Sequence, residues 1–146
     1  MSYWDFIQEA YSKVDIYNGA DAFLSGYTKQ PVWIGDSLSV HWFLSEMSNG
    51  GILQFFDNPT GVLAPEAVIG FRHMELPQLG ELLENAMKVL GNIYPREQNV
   101  RNEISLKLPT TTFKDIEGQF YKTGGSNLGK IYDVMDAYAA KNAGKK

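Results

Sequence analysis

Apolar residues recur at three- and four-residue intervals along most of this chain, the spacing that gathers side chains on one face of an α-helix. In the first segment Tyr3, Ile7, Ala10 or Tyr11, and Val14 follow it, with Asp5, Glu9 and Lys13 elsewhere on the wheel. Ala20, Phe23, Leu24 and Tyr27 repeat the pattern over a shorter stretch. Gly26, Pro31 and Gly35 then predict a loop up to Asp36. Asp36 or Ser37 is expected to cap a helix that begins near Leu38 and runs through Trp42, Phe43 and Met47.

Gly50 and Gly51 would usually end a helix, yet Ile52, Phe55 and Phe56 resume helical spacing at once, which predicts a bend or junction. Pro59 and Gly61 supply a turn. Pro65 and Glu66 make a good first turn for a helix carrying Ala64, Val68, Phe71 and Met74 or Glu75. Pro77 opens the clearest helix, in which Leu79, Leu82, Leu83, Ala86, Met87 and Leu90 keep one face until Gly91. Val100 and Ile104 suggest a weaker helix after Pro95, and Pro109 with three threonines breaks it. Phe113, Ile116, Phe120 and Tyr121 form the next helix, stopped by Gly124 and Gly125. Ser126 or Asn127 is expected to cap the last one, which carries Leu128, Ile131, Tyr132, Met135 and Tyr138. The expectation is an all-α, single compact multi-helix domain over residues 1–146, with about seven helices and a frayed tail at 141–146.

Composition fits that picture. The 146 residues are 44% hydrophobic and 13% aromatic, enough for a core without cross-links, and size scaling gives a folded surface of roughly 7,500 Å². The absence of cysteine excludes disulfides, thiolate metal sites and thiol nucleophiles, and fits a cytoplasmic location. The first thirty residues lack a basic segment followed by an apolar one, and no apolar run reaches the ~18–20 residues that span a bilayer, so neither a secretory signal nor a membrane segment is expected.

Chemistry-bearing patterns are sparse. The two histidines, His41 and His73, stand in no recognisable catalytic context, and His41 beside Trp42 and Phe43 reads as a hydrogen-bonded structural residue. No metal-binding spacing occurs, and no cofactor or metal is expected. The glycine pairs lack the lysine and spacing of a phosphate loop. Charge, in contrast, is divided along the chain: residues 1–87 carry eleven acidic and three basic side chains, a net −8, and residues 88–146 carry six and ten, a net +4. An acidic surface that recruits a basic partner follows if the fold preserves this division. The dispersed basic residues give no nucleic-acid-binding signature, so direct nucleic-acid binding is not expected.

The run Glu46 to Gly61, EMSNGGILQFFDNPTG, resembles the core motif of the bacterial DNA-mimic-protein family, the Neisseria-type DNA mimic and its domain-of-unknown-function relatives. Glu46, Asn49, Gly50, Gly51, Gln54, Phe55, Phe56, Asn58 and Gly61 match that motif in order. The similarity continues through Ala67 and the Leu79–Leu90 helix, and more faintly through Phe120 and Tyr121. The motif itself reads as structural: paired glycines permit close packing, and Asn49, Gln54 and Asn58 are expected to satisfy buried backbone groups. The resemblance implies an all-helical domain, some of whose relatives imitate the phosphate array of DNA to occupy a DNA-binding protein.

If this chain does so, Asp57, Glu66, Glu75, Glu81 and Glu84 are the candidate partner-binding carboxylates, chosen for their acidic neighbourhood and predicted polar faces or turns. The leading expectation is a non-enzymatic regulatory or inhibitory domain that binds a protein partner, as a monomer or homodimer. The alternative is a toxin-neutralising or other interaction protein with an aromatic contact surface. An enzyme with a pocket around His41, Asn49 and Gln54 comes third.

Overall fold

A computed structural model describes residues 1–144, and among them every regular element is helical: eight α-helices and one 3-10 turn. In chain order these are α1 (Tyr3–Lys13), α2 (Ala20–Thr28), α3 (Val32–Asp57), the 3-10 turn Pro59–Leu63, and α4 (Ala64–His73). Then come α5 (Pro77–Lys88), α6 (Gln98–Ser105), α7 (Lys114–Gly124) and α8 (Gly129–Asn142). The accessible surface, 7693 Å², is what one well-packed domain of this length exposes. The last helix takes in Lys141 and Asn142, and the remainder of the expected frayed tail includes residues 145 and 146, which lie outside the described residues.

Helix α3 is the axis of the molecule, in contact with α1, α4, α6, α7 and α8. Because neighbours surround it, residues 35–40 are all buried, and its first part has no polar face. This overturns the expected loop from Gly26 to Asp36 and the expected cap at Asp36 or Ser37. Pro31 precedes the first turn, where a missing amide costs nothing, and both polar residues lie inside the helix. Each is satisfied there: Ser37 Oγ donates to Trp33 O at 2.9 Å, and Asp36 accepts from Tyr138 Oη at 2.6 Å and His73 Nδ1 at 2.8 Å. Asp36 thereby ties α3 to α4 and α8.

The described residues hold eight α-helices against the expected seven or so, and the weaker helix read at Val100 and Ile104 is present as α6, although it carries little apolar periodicity. Val100 is exposed, and the buried positions of α6 are Arg101 and Ser105. Elsewhere the pattern holds, with Leu79, Leu83 and Ala86 of α5 buried, and Ile131, Met135 and Ala139 of α8. At the start of α8, Leu128 takes a left-handed conformation (φ 62°), and Asn127 Oδ1 accepts the amide of Gly129 at 2.9 Å. The core is strongly aromatic: Phe43 lies 5.1 Å from Phe55 and 5.2 Å from Phe120, and Phe56 lies 5.4 Å from Phe113, in edge-on or tilted arrangements favoured by ring quadrupoles.

Candidate functional site

The Asn-Gly-Gly run makes a kink rather than an end. Gly51 sits at φ 88°, ψ 176°, a region that only glycine occupies without strain, and α3 restarts at Ile52. The first amide of the restarted segment would be unpaired, and α7 supplies its acceptor: Glu117 Oε2 takes Ile52 N at 2.7 Å. A Cβ on Gly51 would stand 2.5 Å from that same oxygen.

Past the kink, three side chains converge on Glu46. Asn58 Nδ2 and Thr60 Oγ1 donate to Oε2, the latter at 3.2 Å, while Gln54 Nε2 approaches Oε1 at a long 3.5 Å. The expectation that Asn49, Gln54 and Asn58 satisfy backbone groups is therefore corrected. The last two serve a carboxylate, and Asn49 is exposed. Gly50 is helical and exposed, and it leaves room for the Gln54 side chain, whose Oε1 a Cβ there would meet at 1.8 Å. Phe55 and Phe56 are fully buried.

The backbone groups at the end of α3 are instead held by Arg101, which is 0% exposed. Its Nε donates to Phe56 O at 2.8 Å and its Nη2 to Asn58 O at 2.9 Å. Its Nη1 donates to Pro95 O at 3.3 Å and to Arg96 O. Gly61 allows this approach, since a Cβ there would stand 2.5 Å from Phe55 O and 2.9 Å from Arg101 Nε. Tyr94 closes the junction by donating to Gly61 O at 2.6 Å. Arg101 carries no sequence signal of this role, because a basic residue on a short polar helix reads as solvated.

Among the five candidate carboxylates, three have internal partners. Asp57 accepts from Ser105 Oγ, Glu66 pairs with Arg96 at 2.5 and 3.0 Å, and Glu84 pairs with Arg72 at 3.3 Å. Glu75 and Glu81 are exposed and pair with no cation among the described residues. Four other exposed acids occur on α1, α2 and the segment between them: Asp5, Glu9, Asp15 and Asp21, of which Glu9 is paired with Lys13 at 2.7 Å.

His41 is part of an aromatic nest, hydrogen bonded through Nδ1 to Tyr3 Oη at 2.7 Å and lying 5.1 Å from Trp4. Burial pulls its imidazole down to about 4, so it is neutral at neutral pH, as a structural histidine should be. It lines an open cleft of about 760 Å³ with Glu46 and Asn58, whereas Asn49 and Gln54 do not reach that cleft. The polar groups imagined around one pocket thus separate. Among the described residues no group of three or more His, Cys, Asp or Glu is placed to hold a metal ion, and no helix is long and apolar enough to cross a membrane.

A family model described as DMP19-like protein matches residues 31–142, from the residue before α3 to the last residue of α8. The chain belongs to this DNA-mimic-protein-19-like family. The motif Glu46 to Gly61 falls inside the match, as do Glu117 and Arg101, its partners in the fold. The helices α1 and α2 precede the matched residues. No curated protein and no solved structure matches the chain.

Proposed function

We propose that this protein is a non-catalytic binding domain that presents carboxylates to a basic, DNA-binding protein and competes there with DNA. Membership in the DNA-mimic-protein-19-like family carries the reading. The net −8 over residues 1–87 adds to it, since a basic cleft built for phosphates attracts a surface of one sign and gains association rate from it. Glu75 and Glu81 are the proposed contacts among the five candidates, because a carboxylate already paired internally offers a partner little. Asp57, Glu66 and Glu84 are assigned to holding the fold.

The alternative of an aromatic contact surface has less to draw on. Among the described residues only Tyr11 and Tyr17 are exposed aromatics. The test is affinity capture from host lysate at ~50 mM and ~300 mM salt, with and without a duplex DNA competitor, because screening weakens exposed charge contacts over that range. A specific protein released by both salt and duplex is the expected result. Recovery of no specific protein at low salt, or of one that duplex DNA does not displace, refutes the mimicry.

A further inference from the structure

The cleft between the end of α1 and the middle of α3 has no role in the reading above, and its lining points beyond it. Glu46 lines it, half-buried, with three neutral donors and no lysine, arginine or histidine paired to it among the described residues. A carboxylate withdrawn from water without a counter-charge is an attractive seat for a cation. Oε2 accepts from Asn58 and Thr60, which line the cleft with it, and Oε1 accepts only the long bond from Gln54, so the carboxylate keeps acceptor capacity for one more donor.

The remaining lining suits a flat cation. Tyr11 stacks on Trp42 with ring centres 4.9 Å apart and planes at 27°, and Tyr17, 86% exposed, lines the same cleft. Asp15 adds a second, exposed carboxylate, which accepts from the Tyr17 amide at 3.1 Å and from Asn18 Nδ2 at 2.6 Å and has no cation partner among the described residues. Lys13 is the one lysine or arginine of the lining, and Glu9 holds it at 2.7 Å. His41, neutral at working pH, does not repel a cation.

We infer that this cleft binds a guanidinium group, one N–H donating to the Glu46 carboxylate and the plane lying against the aromatic side chains of the lining. Guanidinium is favoured over ammonium because it is planar, weakly hydrated and stacks on aromatic rings. Residues 11–17 of one wall precede the family match, so the site combines family residues with a segment outside the matched span.

The experiment is calorimetric titration of the full chain with agmatine, with the peptide acetyl-Gly-Arg-Gly-amide, and with N-propylurea as a neutral control. Saturable binding of a guanidinium probe is expected, with none by the urea and about tenfold weaker binding in Glu46→Gln. Because Glu46 also holds Asn58 and Thr60, Asp15→Asn provides a variant outside that network, with about threefold weakening expected and an unchanged circular dichroism spectrum. Tighter binding of the peptide than of agmatine assigns the guanidinium to a protein side chain, and the reverse order assigns it to a free cation. Failure of both probes to bind, or undiminished binding by a folded Glu46→Gln, overturns the inference. Probe binding without capture of any partner counts against the mimicry alone, and capture without probe binding counts against this site alone.

Discussion

Replacing Arg101 with alanine should destabilise the protein by about 4 kcal/mol. The perturbation removes a fully buried guanidinium and strands four main-chain carbonyls contributed by the end of α3 and the segment before α6. A hydrogen bond from a charged donor contributes ~1.5–3 kcal/mol, so the three shorter bonds, leaving aside the one to Pro95 at 3.3 Å, amount to roughly 4.5–9 kcal/mol. Against this, truncation returns ~2 kcal/mol of side-chain freedom, and water entering the vacated space recovers part of the rest. The result agrees with the ~3–5 kcal/mol typical of breaking a buried charged pair. Urea unfolding followed by circular dichroism measures it, and the melting temperature should fall by about 8–16 °C for a chain of this size. Arg101→Lys keeps the charge but concentrates its donors at one point, which cannot span carbonyls from Phe56 to Arg96. About half the loss, ~2 kcal/mol, is expected to remain. An alanine variant within ~1 kcal/mol of the parent, at unchanged denaturant slope, or a lysine variant equal to it, would refute the clamp.

Three further outcomes follow from single sites. His41, at about 4 in the fold against an ordinary 6.5, contributes stability that is full above pH 6.5 and is lost as pH falls toward 4, because the unfolded chain takes up the proton first. About 2 kcal/mol should be lost between pH 7 and pH 5; the urea midpoint reads this, and Glu or Asp titration aside, His41→Gln should flatten the slope. Gly51→Ala should cost about 2–3 kcal/mol, since its φ of 88° disfavours any side chain and the new Cβ would crowd Glu117; a thermal melt equal to that of the parent would contradict the kink. Tyr138→Phe should cost about 1–2 kcal/mol by depriving the buried Asp36 carboxylate of one of its two donors, measured by the same unfolding assay.

The helices that could be read from the sequence are those with one wet face. In α5 and α8 the apolar positions repeat as a stripe because the opposite side meets solvent, and of those stripes Leu79, Leu83, Ala86, Ile131 and Met135 are buried while Leu82, Met87, Tyr132 and Tyr138 are half-buried. The start of α3 was illegible for the opposite reason. Surrounded by other helices, it buries Asp36, Ser37 and Ser39 alongside Leu38 and Val40, and buried polar residues next to Pro31 and Gly35 imitate a loop. The Gly50–Gly51 bend was legible because a glycine pair inside helical spacing has few other meanings. Its partner Glu117, and the Arg101 that holds the end of α3, were not, since each lies more than forty residues from what it binds and nothing local marks a side chain that acts across such a distance. For the same reason sequence could group five carboxylates by neighbourhood but could not show that Ser105, Arg96 and Arg72 already engage three of them.

The division between internal and available charge decides where the proposed partner contact must be sought. Apart from the exposed Asn49, the polar side chains that mark the family, Glu46, Gln54 and Asn58, are spent on one another, so a variant there tests folding before it tests binding. Duplex DNA presents one charge per ~1.7 Å of axis, and a surface that imitates it needs carboxylates whose charge is not already compensated. In the acidic part of this chain the exposed acids without a cation partner among the described residues are Asp5, Asp15, Asp21, Glu75 and Glu81. They fall into two groups, one on α1, α2 and the segment joining them, the other at the α4–α5 turn and on α5, and α5 packs on α4 and α7 rather than on α1 or α2. On the proposed reading, Glu75→Lys with Glu81→Lys should abolish capture of a DNA-binding partner, while Asp5→Lys with Asp21→Lys leaves it within about threefold. Glu75 and Glu81 are exposed, so circular dichroism should be unchanged in that pair; Asp5 caps α1 by accepting from Ser2 N at 2.9 Å, so the second pair is compared only where its spectrum is retained. The reverse outcome moves the contact to the helices that precede the family match. Capture indifferent to both pairs would mean that the partner does not read negative charge on this protein at all.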